Sequence, residues 1–196
     1  MKSLLRVSHG IARLGLYSGG VLLLASAFLI GVDVLLRRFM GTSVGGADEL
    51  AQFALAVGTT WSLAGALCDR AHIRVDSAYS RFPLRLRVIL DMLGIALFIF
   101  FFALVTWNAF GVLEQSWTSN SISHSALQMP IVIPQGLWVL GLVAFIFVAT
   151  TLLLDAVVKL ISGDFRAVSR SIGTKSAQEE VEEELAFAGD EEACQK

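Results

Sequence analysis

Four long apolar runs decide what this chain can fold into. They cover residues 14–36, 50–68, 88–113 and about 133–160. Each reaches roughly 20 residues, enough for a helix to cross a ~30 Å hydrocarbon core. Inside that core no water can satisfy backbone N–H and C=O groups, so each run is expected to close its own hydrogen bonds as a helix. The fold class that follows is an all-α integral membrane protein with four transmembrane helices. The charged fraction agrees: it is 16%, against about 25% in soluble domains.

The first run has to be weighed against a secretory leader. Lys2, Arg6 and Arg13 form a basic segment, and Ala25-Ser26-Ala27 resembles a cleavage site. The apolar stretch continues to Leu36, too long for the core of a signal peptide. It is expected to remain as a membrane span. The membrane domain is then 14–160, preceded by a short segment at 1–13 and followed by a tail at 161–196.

Lys and Arg set the orientation, because they accumulate in cytoplasmic segments. Of the 15 in the chain, all but Arg37 and Arg38 lie in the N-terminal segment, between the second and third runs, or from the end of the fourth run onward. Both termini and the 69–87 connection are expected to be cytoplasmic. The tail is densely acidic from Glu179 to Glu192 and reads as solvated and disordered.

An ionisable group in a membrane helix is a functional candidate by default. Here Asp33, Asp91 and Asp155 each have a cation four residues away, at Arg37, Arg87 and Lys159. That spacing places each pair on one helix face, near the end of a run, where long cationic side chains reach the interface. No mid-span carboxylate stands without such a partner. The three histidines, His9, His72 and His124, lie outside the apolar runs, which argues against axial haem ligation. Cys68 and Cys194 form no metal-binding or redox spacing. Neither GxSxG, HExxH nor a phosphate-cradling glycine loop occurs. Ser beside His124 is only a sequence neighbour, not a triad. No enzyme activity, cofactor or nucleic-acid partner is expected.

Lipid tails are as apolar as leucine, so membrane helices associate through small residues that let backbones approach. Ala54, Gly58, Ser62 and Ala66 recur every fourth residue in the second run, beside Thr59, Thr60 and Trp61. Gly15 and Gly19 form a GxxxG in the first. Each small ridge implies a neighbouring helix, of this chain or of a second subunit.

The stretch "DRAHIRVDSAYSRFPLRLR", 69–87, is the most charged. Val75, Tyr79, Phe82 and Leu86 share one stripe and Arg74, Arg81 and Arg85 another. It reads as a short amphipathic helix at the cytoplasmic interface, basic side toward headgroups. Pro83 suits the first turn of the third span. Asp69, His72 and Asp76 could share a face, but five arginines make that field hostile to a metal ion.

"AHIRVD" after a span bearing Trp and Gly, then "SRFPLRLR" leading into the next, resembles the small membrane subunit (DctQ type) of tripartite ATP-independent periplasmic (TRAP) transporters. "LLRRFMGTSVGGADELAQF" is similar to that family's Arg closing span one and acidic pair opening span two, here Arg37 or Arg38 and Asp48-Glu49. "SHSALQMPIVIPQGLW" resembles its external segment, with Ser125, Leu127, Pro130 and Pro134. The resemblance runs from about Val32 to Leu160. Asp48 departs from a more usual Glu, and Gly41 from a more usual Asn.

The resemblance implies a scaffold subunit in the bacterial inner membrane. Its partners would be a large multi-span permease subunit (DctM type), a periplasmic substrate-binding protein and membrane lipids. The large subunit would import an organic acid anion by sodium-coupled elevator transport, with sodium bound there and not on this chain. Glu49 pairing with Arg37 or Arg38 would fix the turn between spans one and two, the plainer reading of Asp48 and Glu49 being helix capping. His72 and Asp76 would hold the cytoplasmic loop. Ser125 to Pro134 would form a docking edge. A stand-alone four-helix exporter acting as a homo-oligomer is the alternative, and an anchor for another complex, with the tail as bait, is a third.

Overall fold

The computed structural model describes residues 2–69, 83–123, 127–163 and Val168. Its helices are α1 (Lys2–Met40), α2 (Ala47–Cys68), α3 (Leu84–Thr118) and α4 (Val132–Ile161). All four are long and apolar enough to cross a membrane. Of the interfacial helix expected within 69–87, residues 70–82 lie outside the described residues, and 84–87 form the first turn of α3. Of the tail at 161–196, only 161–163 and Val168 are described.

The helices outrun the apolar runs that announced them. α1 has 39 residues, about 58 Å at 1.5 Å per residue, far more than the ~30 Å core. Hydropathy marks only the part of a helix that must avoid water. The polar ends stay helical because each further turn adds backbone bonds at little cost. Pro83 stands one residue earlier than expected, as the extended residue before α3 (φ −65°, ψ 149°). Its carbonyl accepts from the Leu86 and Arg87 amides.

Successive helices run antiparallel, and α4 is the axis: α1, α2 and α3 all pack on it, while α1 and α2 also pack on each other. The buried residues form three layers along α4. Val139 and Leu142 meet Ala109 of α3. Phe145, Val148, Ala149 and Leu152 meet Ala12, Ala64 and Leu67. Ala156 meets Val88, Ile95 and Val168. Phe98 and Phe102 of α3 stack edge-on or tilted against Phe145, with centroids 5.5 and 4.6 Å away. Within their apolar windows 44% of α4 is buried but only 17% of α3 and 11% of α1. The outer faces carry exposed Leu24, Phe28, Phe100 and Trp107, as a hydrocarbon solvent requires.

The α1–α2 seam is built from absent side chains. A Cβ at Gly15 would lie 2.4 Å from the Trp61 carbonyl oxygen, and one at Gly19 2.5 Å from that of Gly58. The ridge on α2 therefore faces α1 of the same chain. Gly58, Ser62 and Gly65 line the seam. Every fourth residue advances about 40° around a 3.6-residue helix, so a strict fourfold stripe drifts off a straight neighbour. Gly65 keeps the line: a Cβ there would sit 2.8 Å from Leu16 Cβ.

Gly19→Val should destabilise the protein by about 1–3 kcal/mol, the cost of forcing atoms into a filled contact. Gly20→Val, where a Cβ meets nothing within 4 Å, should change stability by less than about 0.5 kcal/mol. Unfolding in detergent reads both; equal losses would refute the seam.

Candidate functional site: the polar turn and the Trp61 bridge

Among the described residues, a polar constellation closes the turn between α1 and α2. Asp33 belongs to the last turns of α1, yet it is 1% exposed. The segment 41–46 folds back over it. Gly41 (φ 65°) and Gly46 (φ 86°) make that reversal possible, since a side chain disfavours the left-handed region. The reversal brings the Ser43 hydroxyl and the Val44 amide onto Asp33 Oδ1, at 2.8 and 2.7 Å. On its other oxygen Asp33 takes Arg37 at 2.5 Å, one turn along α1. The same guanidinium nitrogen reaches Asp48 Oδ2 at 3.2 Å, in the first turn of α2.

Asp33, absent from the resemblance, is thus the centre of the turn, holding both a loop amide and the bridging arginine. Its i,i+4 spacing to Arg37 was legible; its grip on Ser43 and Val44 was not, because those contacts depend on where the glycine turn lands. Asp48 supplies a contact to Arg37 across the turn. No side chain caps α2; its N-cap is Gly46, whose carbonyl accepts from the Glu49 and Leu50 amides. Asp48 and Glu49 sit in the first turn, where negative charge suits the helix dipole. Arg38 is exposed.

Trp61 joins three helices. Its indole Nε1 donates to the Leu137 carbonyl of α4 at 3.0 Å, and its own carbonyl faces Gly15 of α1. Gly141 gives the ring room: a Cβ there would lie 2.9 Å from Trp61 Cδ1 and 2.6 Å from Thr60 Oγ1. Gly58 and Ser62 line the α1 side, and Ala54 is half-buried on the same helix. At the other end of the bundle Ser8 and Thr151 share a hydrogen bond at 2.8 Å. Lys159 pairs with buried Asp155 at 2.5 Å, and Asp91 is buried with Val88 and Ile95.

His72, Asp76 and Ser125 lie outside the described residues, as does His124. Leu127 and Pro130 are exposed in the α3–α4 connection, and Pro134 is buried in the first turn of α4. There its missing N–H costs nothing, since the first helical amides have no partner within the helix. The connection opens on a Schellman-type end to α3: Asn120 turns left-handed (φ 47°), and the Ser121 amide bonds the Ser116 carbonyl at 3.1 Å. It then pairs across itself, Ser123 to Met129 and Ile131 to Ser121.

These features define a four-helix membrane protein whose visible polar groups tie helices to turns and to one another. The family model for the DctQ component of tripartite ATP-independent periplasmic transporters matches residues 26–159. The chain belongs to that family and is a TRAP transporter small permease subunit. It matches no curated protein and no solved structure.

Asp33→Ala should lower the melting temperature more than Asp48→Ala, because it strips three contacts from a buried site rather than one from a half-exposed arginine. The reverse order would move the centre of the turn to Asp48. Trp61→Phe should cost about 0.5–1.5 kcal/mol, the scale of one hydrogen bond, by the same unfolding assay.

Proposed function

We propose that this chain is the fixed scaffold beside a large multi-span permease subunit of the DctM type. The large subunit carries the substrate and sodium sites and imports an organic acid anion, which a periplasmic binding protein delivers. The family match over residues 26–159 carries this reading. The glycine seam supports it, since it gives a bundle that holds its own shape. Both termini face the cytoplasm of a bacterial inner membrane, which the Lys and Arg distribution supports. The α1–α2 turn and the α3–α4 connection then face the periplasm, with Leu127 and Pro130 exposed toward the binding protein.

Detergent co-purification of the tagged protein from its native membrane tests it. A multi-span permease should co-elute at near one-to-one, and deletion of residues 163–196 should leave that complex and its transport largely intact. Elution alone, or only with itself, would overturn the scaffold reading. Labelling of a cysteine at Ser43 by an impermeant reagent in whole spheroplasts, without labelling at Ser162, is the expected orientation result.

A further inference from the structure

Between α1 and the end of α2 lies a cleft of about 380 Å³, walled by His9, Arg13 and Tyr17 of α1 and by Gly65, Cys68 and Asp69. That volume falls in the range of small-ligand sites, about 300–1,000 Å³. Its depth is set by the sequence. Arg13 immediately precedes the first apolar run and Asp69 immediately follows the second. The cleft therefore lies where hydrocarbon gives way to headgroups. Tyr17, one turn further in and 69% exposed, is a residue type enriched at that level.

The two walls differ in chemistry. His9, Arg13 and Tyr17 recur every fourth residue along α1 and present N–H and O–H donors. Opposite them Asp69 stands at the C-terminal end of α2, where unsatisfied carbonyls carry partial negative charge. Arg13 and Asp69 are both exposed, and no ion pair joins them among the described residues. The floor is rigid, because Gly65 brings the helices into contact: a Cβ there would lie 3.1 Å from the Ala12 carbonyl oxygen. Beyond Leu16, the exposed Val21 and Leu24 continue an apolar track along α1.

We infer that this cleft seats the headgroup of a phospholipid that carries an ammonium next to its phosphate. The phosphate lies against Arg13 and Tyr17, the ammonium against Asp69 and the α2 end, and an acyl chain runs along Val21 and Leu24. A phosphodiester without the ammonium sets a second negative charge beside Asp69. Free phosphate leaves the apolar track unused. The inference does not depend on the partner subunit.

Native mass spectrometry of the full-length protein, delipidated and then refilled, tests it with three probes: phosphatidylethanolamine, phosphatidylglycerol of the same chains, and inorganic phosphate alone. One phosphatidylethanolamine should be retained in preference to phosphatidylglycerol. Arg13→Gln should weaken retention about tenfold, as loss of a charged hydrogen bond predicts, whereas Arg6→Gln should not. Asp69→Asn should abolish the preference between the two lipids. Retention unchanged in Arg13→Gln, or a preference unchanged in Asp69→Asn, overturns the site. Phosphate binding that Arg13→Gln removes, without selective lipid retention, makes it a free-anion site and overturns the lipid. Thermal unfolding checks each variant. Tyr17→Phe, which removes only a hydroxyl, reads the same wall should Arg13→Gln fail to fold.

Discussion

A helix in lipid gains nothing by exchanging a lipid neighbour for a leucine, so what holds α1 to α2 is proximity. Gly15 and Gly19 let the backbone of α1 come against the Trp61 and Gly58 carbonyls, close enough for dispersion contacts along several turns. Much else depends on that approach. It sets where Trp61 stands, hence which carbonyl of α4 its indole can reach. It also fixes the end of α1 relative to the start of α2, which is what a six-residue glycine turn has to join.

The turn solves a problem that the seam creates. Two helices that close must be linked by a reversal whose backbone amides cannot all pair within helices. Asp33 meets that need from inside α1, accepting the Val44 amide and the Ser43 hydroxyl. A buried carboxylate with only amide and hydroxyl donors would still face a cost for its charge. Arg37 offsets it, and because its guanidinium spans to Asp48 it couples the charge balance of α1 to that of α2.

The four helices, their order and the glycine seam were legible because each leaves a periodic trace: long apolar runs, a GxxxG, a ridge of small residues. The family was legible from the order of short motifs at span ends. What escaped were contacts set by the landing of a loop. Asp33 could be paired with Arg37 by spacing alone, but nothing in "GTSVGG" says that Val44 returns to it. Gly65 is not singled out by fourfold spacing, which ignores the slow rotation of a helix against its neighbour. Trp61 was marked by its position in the span, while its partner, a backbone carbonyl 76 residues away, carries no side-chain signature.

The hydroxyls within the spans complete the physical picture. Ser18, Ser26, Thr59, Thr60, Ser62 and Thr106 each donate to a carbonyl three or four residues earlier in their own helix. That is how an isolated hydroxyl is tolerated in hydrocarbon. A polar path across a membrane needs the opposite arrangement, with side chains of different helices facing a shared wet space. Here cross-helix polar contacts of the described spans, such as Ser8 with Thr151 and Trp61 with Leu137, fasten packed helices together. Polar groups spent in this way stiffen a bundle.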